Sequence, residues 1–540
     1  YTSLSRLKRQ AVKSQHGLVQ TETLRAFTWW SRKQEYPGQE LQKAWQDHLF
    51  NDFHDILTGT CIEPAEKDAL GRYGRVAETA KALRLGAAIC LNQGQSLNKG
   101  IPVTVLNTIP GMGAVPVEVE CMISHRPKWT GFWHMNLFDA KNRAITCQEE
   151  QPEALLPFNG WRRKVVFMSE LPSVGVTHYH LETKEGPAEQ KTARPALDIS
   201  FGKRSGLIER LGCSETRQLL SGPLLQPLVI DDSADSWGTG VHSYRNVSGE
   251  MRLIPESFRT VAEGPIRTIF ESRLGFGNSR LTLQTFVYSQ WPVLEFRLRL
   301  LWAEEQKRLK LSIPTKIKAD SVVCEVPGGN IRRPGDGKEH VHGRWLVLDG
   351  RPQKMNAALG VINSGLHGFD FKDGEIRLSI LRSAAYCHEK GFNLTSYPAR
   401  KLMDLGLHEF RLLLTVGKPE DVFRRAAVLA DWLNTPPFVC AHLPAGTADS
   451  LRSRIYPSQS ISDLLTIKPE NIRLLACKKS WEGDALIIRL QECCGLPARA
   501  EVTLHAPKRH LEMSFIPLEI KTLRINKNGQ WDEVGLVDEA

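Results

Sequence analysis

One histidine in a short polar segment is the strongest candidate for chemistry in this sequence. Residues 53–60 read FHDILTGT and follow a predicted helix. A neutral imidazole binds zinc-like ions, and a neighbouring carboxylate can orient the ring or accept hydrogen bonds from sugar hydroxyls. A catalytic metal takes about three protein ligands, and no paired His or Cys motif lies beside His54 and Asp55. From spacing alone, His54 is therefore more often a satisfied core or helix-end histidine.

Two histidine pairs offer a second, weaker metal signal. His178 with His180, and His340 with His342, each put two imidazoles on one face of a predicted strand. Chance pairs are expected among 16 histidines, so we favour ordinary strand residues over a metal site.

The elements that must position these residues begin with three predicted helices, over residues 1–95. The third has a stripe of apolar residues at alternating spacings of four and three, which lies on one helical face. Its members are Ala69, Tyr73, Val76, Ala80, Leu83 and Ala87. Further stripes beginning at Leu4 and Leu41 predict the other two helices, with a break at Pro37. Three antiparallel helices would bury all three stripes.

After Gly94 the pattern changes to short segments of period two, which is typical of β-strands. Residues 293–302 are the clearest case: alternate apolar side chains face one way, while Glu295, Arg297 and Arg299 face a predicted wet side. One helix, beginning near Pro419, interrupts the strands. The predicted fold is mainly β with an N-terminal α domain: a three-helix bundle followed by antiparallel β-sandwich domains. We predict domains at 1–95, 96–195, 196–460 and 461–540, the first helical and the others β.

Composition excludes several classes of protein. The 540 residues carry a net charge of +10, but the basic residues are spread along the chain, so we expect no nucleic-acid partner. No apolar stretch approaches the ~20 residues that cross a bilayer, and we expect no membrane partner. The eleven cysteines lack paired spacing, which favours a reducing cytoplasm, although a signal upstream of Tyr1 would reverse that inference.

A family resemblance changes the weight given to His54. Residues 45–60, WQDHLFNDFHDILTGT, resemble the helical-domain signature of glycoside hydrolase family 38 α-mannosidases, in which a His-Asp pair ends a helix before a Gly turn. The similarity continues through the β region. It is carried there by residues 105–110, 228–238, 368–383 and 407–411.

The resemblance implies roles for six residues. His54 would be a ligand of a divalent metal, usually zinc, and Asp55 would contact sugar hydroxyls. Arg382 stands where some members bring an arginine towards the active site, against the alternative of a plain strand arginine. Asp232, Asp235 and Trp237 would bind sugar through carboxylate hydrogen bonds and ring stacking; a turn with a packed Trp is the alternative.

No residue matches the family's nucleophile, its acid/base carboxylate or the further metal ligands of its N-terminal domain. The resemblance therefore implies the C-terminal portion of a retaining α-mannosidase that hydrolyses terminal α-mannosides, inactive without an N-terminal catalytic domain as partner. A stand-alone carbohydrate-binding or structural protein is the alternative, and a basic nucleic-acid-binding protein is a weaker one. Assembly as a homo-oligomer stays open.

Overall fold

The computed structural model describes residues 2–92, 100–123, 133–152, 161–188, 191–350, 356–391, 401–443 and 462–537. The described helices are α1 (Ser5–Arg32), α2 (Gly38–Phe50), α3 (Glu63–Asn92) and α4 (Pro419–Asn434). The first three pack together, with the apolar stripe of α3 buried at Ala69, Tyr73, Val76, Ala80 and Ala87. The predicted bundle is confirmed. None of the described helices combines the length and apolar character needed to cross a bilayer.

Helix α4 starts where the sequence predicts a start. Pro419 needs no backbone N–H in the first turn, and Glu420 and Asp421 place negative charge at the positive end of the helix dipole. The helix covers one sheet of the large β region, and Val422 and Ala426 are fully buried there.

The described strands, numbered along the chain, form antiparallel sheets. An eight-stranded sheet contains β1 (Ile101–Asn107), β3 (Trp133–Asp139), β4 (Ala144–Ile145), β7 (Val174–Glu185), β26 (Phe438–Ala441), β27 (Asp463–Lys468), β30 (Ala498–His505) and β31 (Lys508–Phe515). A three-stranded sheet contains β2 (Gly113–Met122), β5 (Cys147–Glu150) and β6 (Arg162–Leu171). A four-stranded sheet contains β28 (Ile472–Lys479), β29 (Leu486–Glu492), β32 (Ile520–Ile525) and β33 (Trp531–Val534).

The large β region is built from two facing sheets. The six-stranded sheet contains β10 (Gln226–Asp231), β11 (Val247–Glu250), β17 (Lys307–Pro314), β20 (His340–Val341), β23 (Gly368–Lys372) and β24 (Glu375–Arg382). The ten-stranded sheet contains β12 (Arg252–Leu253), β13 (Arg259–Ala262), β14 (Arg267–Phe276), β15 (Ser279–Tyr288), β16 (Val293–Trp302), β18 (Ser321–Val326), β19 (Gly329–Pro334), β21 (Trp345–Asp349), β22 (Ala358–Asn363) and β25 (Gly406–Gly417). A separate pair joins β8 (Asp198–Phe201) and β9 (Ile208–Gly212).

Apolar side chains from both large sheets share one core, which makes this region a sandwich. Leu298 on β16 lies opposite Phe410 on β25, and both are buried in that core. The mainly β fold class is therefore confirmed.

The predicted wet side of β16 is wrong at Glu295. Its carboxylate is fully buried and accepts hydrogen bonds from Arg297, Arg411 and the Tyr288 hydroxyl. Glu118 of the neighbouring three-stranded sheet also pairs with Arg297. A second sheet therefore covers this face, and period-two alternation cannot reveal that cover.

The four-domain division stays a prediction. Its boundaries at 95 and 460 fall among residues outside the described ranges. Strand β7 pairs with β27, so one sheet contains strands from the predicted 96–195 and 461–540 units.

Candidate functional site

His54 lies on an open loop between α2 and α3, not inside the bundle. Its side chain is 79% exposed and that of Asp55 is 54% exposed, with His54 Nε2 3.6 Å from Asp55 Oδ2. The Phe53 ring packs against the imidazole, with 4.3 Å between ring centroids. Spacing alone suggested a core or a helix-end histidine, and the core alternative is wrong, since both side chains are open to a ligand or a second polypeptide.

The backbone beneath these exposed side chains is held at several points. The Thr58 hydroxyl donates to the His54 carbonyl, and the Thr60 hydroxyl donates to the Asp55 carbonyl at 3.4 Å. The buried Lys8 ammonium of α1 donates to the Thr58 carbonyl at 2.8 Å. Burial lowers the pKa of Lys8 to about 8, against the opposing effect of Asp404, so the group is still mainly charged at neutral pH.

Gly59 allows the loop to pass close to the start of the chain. Its φ is +87°, and a Cβ there would lie 2.5 Å from the Ser3 carbonyl oxygen. Only glycine accepts both the left-handed backbone and this close approach. The loop therefore has a defined path relative to α1.

Trp237 lies on a second exposed turn, which follows β10. Its side chain is 55% exposed. The turn is shaped by Asp235, whose carboxylate accepts hydrogen bonds from the backbone N–H groups of Thr239 at 2.8 Å and Lys390 at 3.1 Å. Burial raises the pKa of Asp235, but these hydrogen bonds outweigh it and the net shift is downward. Asp235 thus positions the turn, and Trp237 is its most accessible predicted site residue.

Asp232 and Arg382 lie beneath the turn as ion-pair partners. Asp232 Oδ1 accepts from Arg382 Nη2 at 2.9 Å, and Asp232 Oδ2 accepts from Arg308 Nε at 3.0 Å. Arg382 also donates to the Ala234 carbonyl at 2.8 Å, which ties it to the backbone of the turn. All three charged side chains are buried. In this arrangement Asp232 and Arg382 contact each other and not an open surface.

The ion pairs continue beyond the predicted residues. Arg308 donates to the Thr2 hydroxyl at 2.8 Å and to Glu339 at 3.3 Å, and its guanidinium lies 3.6 Å from the centre of the Tyr244 ring. Sequence reasoning missed Arg308, which lies on β17, and Glu339, which lies just before β20, because no short motif contains them. The available signal was the alternation of basic and apolar residues at the start of β17.

One segment links the His54 loop to the Trp237 turn. Cys387 Sγ donates to the Thr60 carbonyl at 3.1 Å, on the loop side. On the other side, the His388 backbone N–H donates to Ser236 Oγ at 2.7 Å, and the Ser236 N–H donates to the His388 carbonyl at 2.9 Å. Residues 387–388 therefore join the His54 loop to the Trp237 turn through hydrogen bonds.

The histidine pairs behave as structural residues. His180 stacks on Phe138 with ring centroids 5.1 Å apart, and His342 packs edge-on against Phe369. Within the described ranges, no group of three or more His, Cys, Asp or Glu side chains is arranged to hold a metal ion. His54 and Asp55 provide one exposed imidazole and one adjacent carboxylate, which fit part of a metal coordination shell.

Comparison with known proteins connects these surfaces to one family. Residues 1–91 match the family model described as the alpha mannosidase middle domain, and residues 195–389 match the glycosyl hydrolases family 38 C-terminal domain. Together the two matches cover just over half of the chain. The chain belongs to glycoside hydrolase family 38. His54 and Asp55 lie in the family's middle-domain match, and the other four predicted site residues lie in the C-terminal-domain match.

Two curated proteins and one solved structure match most of the chain. Alpha-mannosidase 2C1 of Mus musculus is 24% identical in a 524-residue alignment that covers 90% of this chain and 46% of the mouse protein. Alpha-mannosidase G of Dictyostelium discoideum is 24% identical, over 85% of this chain and 43% of that protein. A family 38 protein of Enterococcus faecalis superposes with a TM-score of 0.77 at 14% identity, covering 97% of this chain and 70% of that structure. The chain spans a little under half the length of these two curated relatives.

Proposed function

We propose that this chain is the middle and C-terminal portion of a metal-dependent retaining α-mannosidase, and that it contributes one metal ligand and part of the sugar pocket. The exposed His54 and Asp55 pair, on a loop anchored from below, is the observation that carries the proposal. Terminal α-mannosides of a glycan or a small glycoside would be the substrates. Cytoplasmic location is part of the same proposal, since the eleven cysteines are all free thiols.

His54 would supply one nitrogen to a divalent metal, with zinc the favoured ion. A bound metal would hold sugar hydroxyls and favour distortion of the ring. Asp55 would accept hydrogen bonds from the sugar, and Trp237 would offer its ring face. Asp232, Asp235 and Arg382 would act by holding the Trp237 turn in place, since their polar atoms already bind one another or the backbone.

Apolar surface around His54 supports a covering polypeptide. Phe50, Phe53 and Ile62 each expose more than half of their side-chain surface. Clustered exposed apolar side chains mark interaction sites. We infer that the remaining metal ligands, the nucleophile and the acid/base carboxylate come from polypeptide that docks on this surface, and that the 540-residue chain alone is inactive.

The test compares the 540-residue chain with a protein made from the coding sequence extended upstream of Tyr1. With zinc and an aryl α-mannoside, we expect no turnover by the former and measurable turnover by the latter. His54→Ala in the extended protein should remove at least about 99% of kcat/KM and lower the amount of bound zinc, because the metal loses a nitrogen that binds it directly. His510→Ala, at an exposed β31 position, is the matched control and should change neither.

Two results would overturn the proposal. Turnover by the 540-residue chain that depends on His54 would mean that it contains its own nucleophile. Sugar binding that survives both chelation and His54→Ala, without hydrolysis by the extended protein, would favour a stand-alone carbohydrate-binding protein.

A further inference from the structure

A large groove lies between the helices and the C-terminal β region, away from the His54 loop. It has a volume of about 1080 Å³ and is lined by the end of α1, the start of α2 and the end of β28. That volume is at the upper end of the usual range for ligand pockets. None of the predicted site residues lines it.

Several aromatic rings line this groove. Trp29 and Tyr36 lie at one end with ring centroids 6.2 Å apart, and Trp45 lies on α2. Trp481, in the loop after β28, is 64% exposed. A sugar ring has a flat C–H face that packs on such rings, and its hydroxyl groups take hydrogen bonds from surrounding polar side chains. Gln39 and Gln42 of α2 line the groove and can supply them.

The groove is also basic. Five lysine or arginine side chains line it, against two glutamates. The Lys527 ammonium lies 4.0 Å from the centres of both the Trp29 and Trp30 rings, and Lys479 lies 5.6 Å from Trp29. Lys527 makes no ion pair with any described residue. Burial lowers the pKa of Lys527; Asp484 opposes this, and the positive charges of Lys479 and Lys33 each lower the pKa by less than Asp484 raises it. Asp484 lies 3.3 Å from Lys479 and pairs with it.

An anion bound here would relieve this repulsion. Lys527 would gain a direct opposite charge in a partly dehydrated place, where such contacts are stronger than in water. From the aromatic lining and the unbalanced positive charge together, we propose that the groove binds an anionic carbohydrate, a sugar chain that carries phosphate, sulfate or carboxylate groups.

The lining disfavours two other occupants. An amphipathic helix requires an aliphatic strip, and few aliphatic side chains line the groove. A nucleic-acid strand requires a continuous row of basic side chains with several exposed rings in succession. In this groove Glu22 and Glu35 lie among the basic side chains, and Trp481 is the aromatic lining residue that is well exposed.

The experiment measures binding to the 540-residue chain by calorimetry and tryptophan fluorescence at low ionic strength. The probes are a sulfated heparin tetrasaccharide, the neutral maltotetraose and pentathymidylate. We expect the sulfated tetrasaccharide to bind best, with affinity that falls as salt rises. Trp481→Ala and Lys527→Ala should each weaken it about tenfold or more, and Trp481→Phe should restore most of the loss.

Lys203→Ala is the charge-matched control, since Lys203 is exposed in the large β region. It should leave the affinity within about twofold, as expected for a distant surface charge. The proposal is overturned if the tetrasaccharide does not bind, if Lys203→Ala weakens it as much as Lys527→Ala does, or if maltotetraose binds equally well. Tighter binding of pentathymidylate would assign the groove to nucleic acid.

Discussion

Replacing Asp232 by Asn tests whether the buried ion pairs hold the Trp237 turn. The variant keeps the shape of the side chain but removes the charge that Arg308 and Arg382 share. Removing one partner from a buried ion pair costs about 3–5 kcal/mol. Because Glu339 lies 3.3 Å from Arg308 and offsets part of that loss, we expect about 3 kcal/mol.

Asp231→Asn is the matched control one residue away. Asp231 pairs with Lys307 at 2.5 Å, but its side chain is 70% exposed. Exposed pairs contribute less than about 1 kcal/mol. The two neighbouring substitutions remove the same charge and should therefore differ several-fold in their effect.

Hydrogen exchange measured by mass spectrometry reports the local stability directly. In peptides covering residues 228–239 and 383–390, a loss of about 3 kcal/mol corresponds to roughly 150-fold faster exchange of amides that exchange by local opening. The control should accelerate exchange by less than about fivefold. Equal acceleration by Asp231→Asn and Asp232→Asn would refute the view that this ion pair positions the turn.

Two further predictions concern stability. Gly59→Ala should destabilise the His54 loop by more than about 1 kcal/mol, because Gly59 has a positive φ and lies close to Ser3. The control Gly71→Ala, on an open face of α3, should stabilise the protein by up to about 1 kcal/mol. Shifts of the thermal unfolding temperature that have the same sign in both variants would contradict this. Burial raises the pKa of Glu295, but Arg411 and Arg297 outweigh it and lower the value to about 2, so its stabilisation is complete above about pH 4.5 and is lost as pH falls towards 2. Glu295→Gln should therefore lower the free energy of unfolding by about 3 kcal/mol at pH 7. The free energy of unfolding, measured with urea, should also change less between pH 4.5 and 2 than it does in the unsubstituted protein. An equal change over that pH range in both proteins would count against this prediction.

The helices and many strands could be predicted because their signals are local. The α3 stripe repeats within one element, and the start of α4 combines a proline with two acidic residues. Local periodicity also predicted the apolar face of β16. It failed at Glu295 because burial there depends on a sheet more than a hundred residues away in sequence, which supplies Glu118.

The candidate site divides in the same way. The resemblance singled out His54 and Asp55 from one continuous segment, whereas spacing alone favoured a core or helix-end histidine. The partners of the other candidates come from distant strands. Arg308 lies 76 residues from Asp232, and Arg382 lies 150 residues from it. No pattern within a short window contains such a pair. Only the three-dimensional structure shows that the charge of Asp232 is paired with those of Arg308 and Arg382.

The contrast between exposed side chains and a fixed backbone explains how this surface could serve a ligand. A side chain that binds a metal or stacks on a sugar must reach outward. If its backbone is flexible, the conformational entropy lost on binding lowers the affinity. Here the loop beneath His54 is held by Lys8 of α1, and Thr60 of the same loop is held by Cys387 of the β region. Because Ser236 and His388 join that β segment to the Trp237 turn, a shift of α1 against the sandwich would move both exposed side chains. The packing of the two regions therefore sets the geometry of the candidate site as much as the exposed residues do.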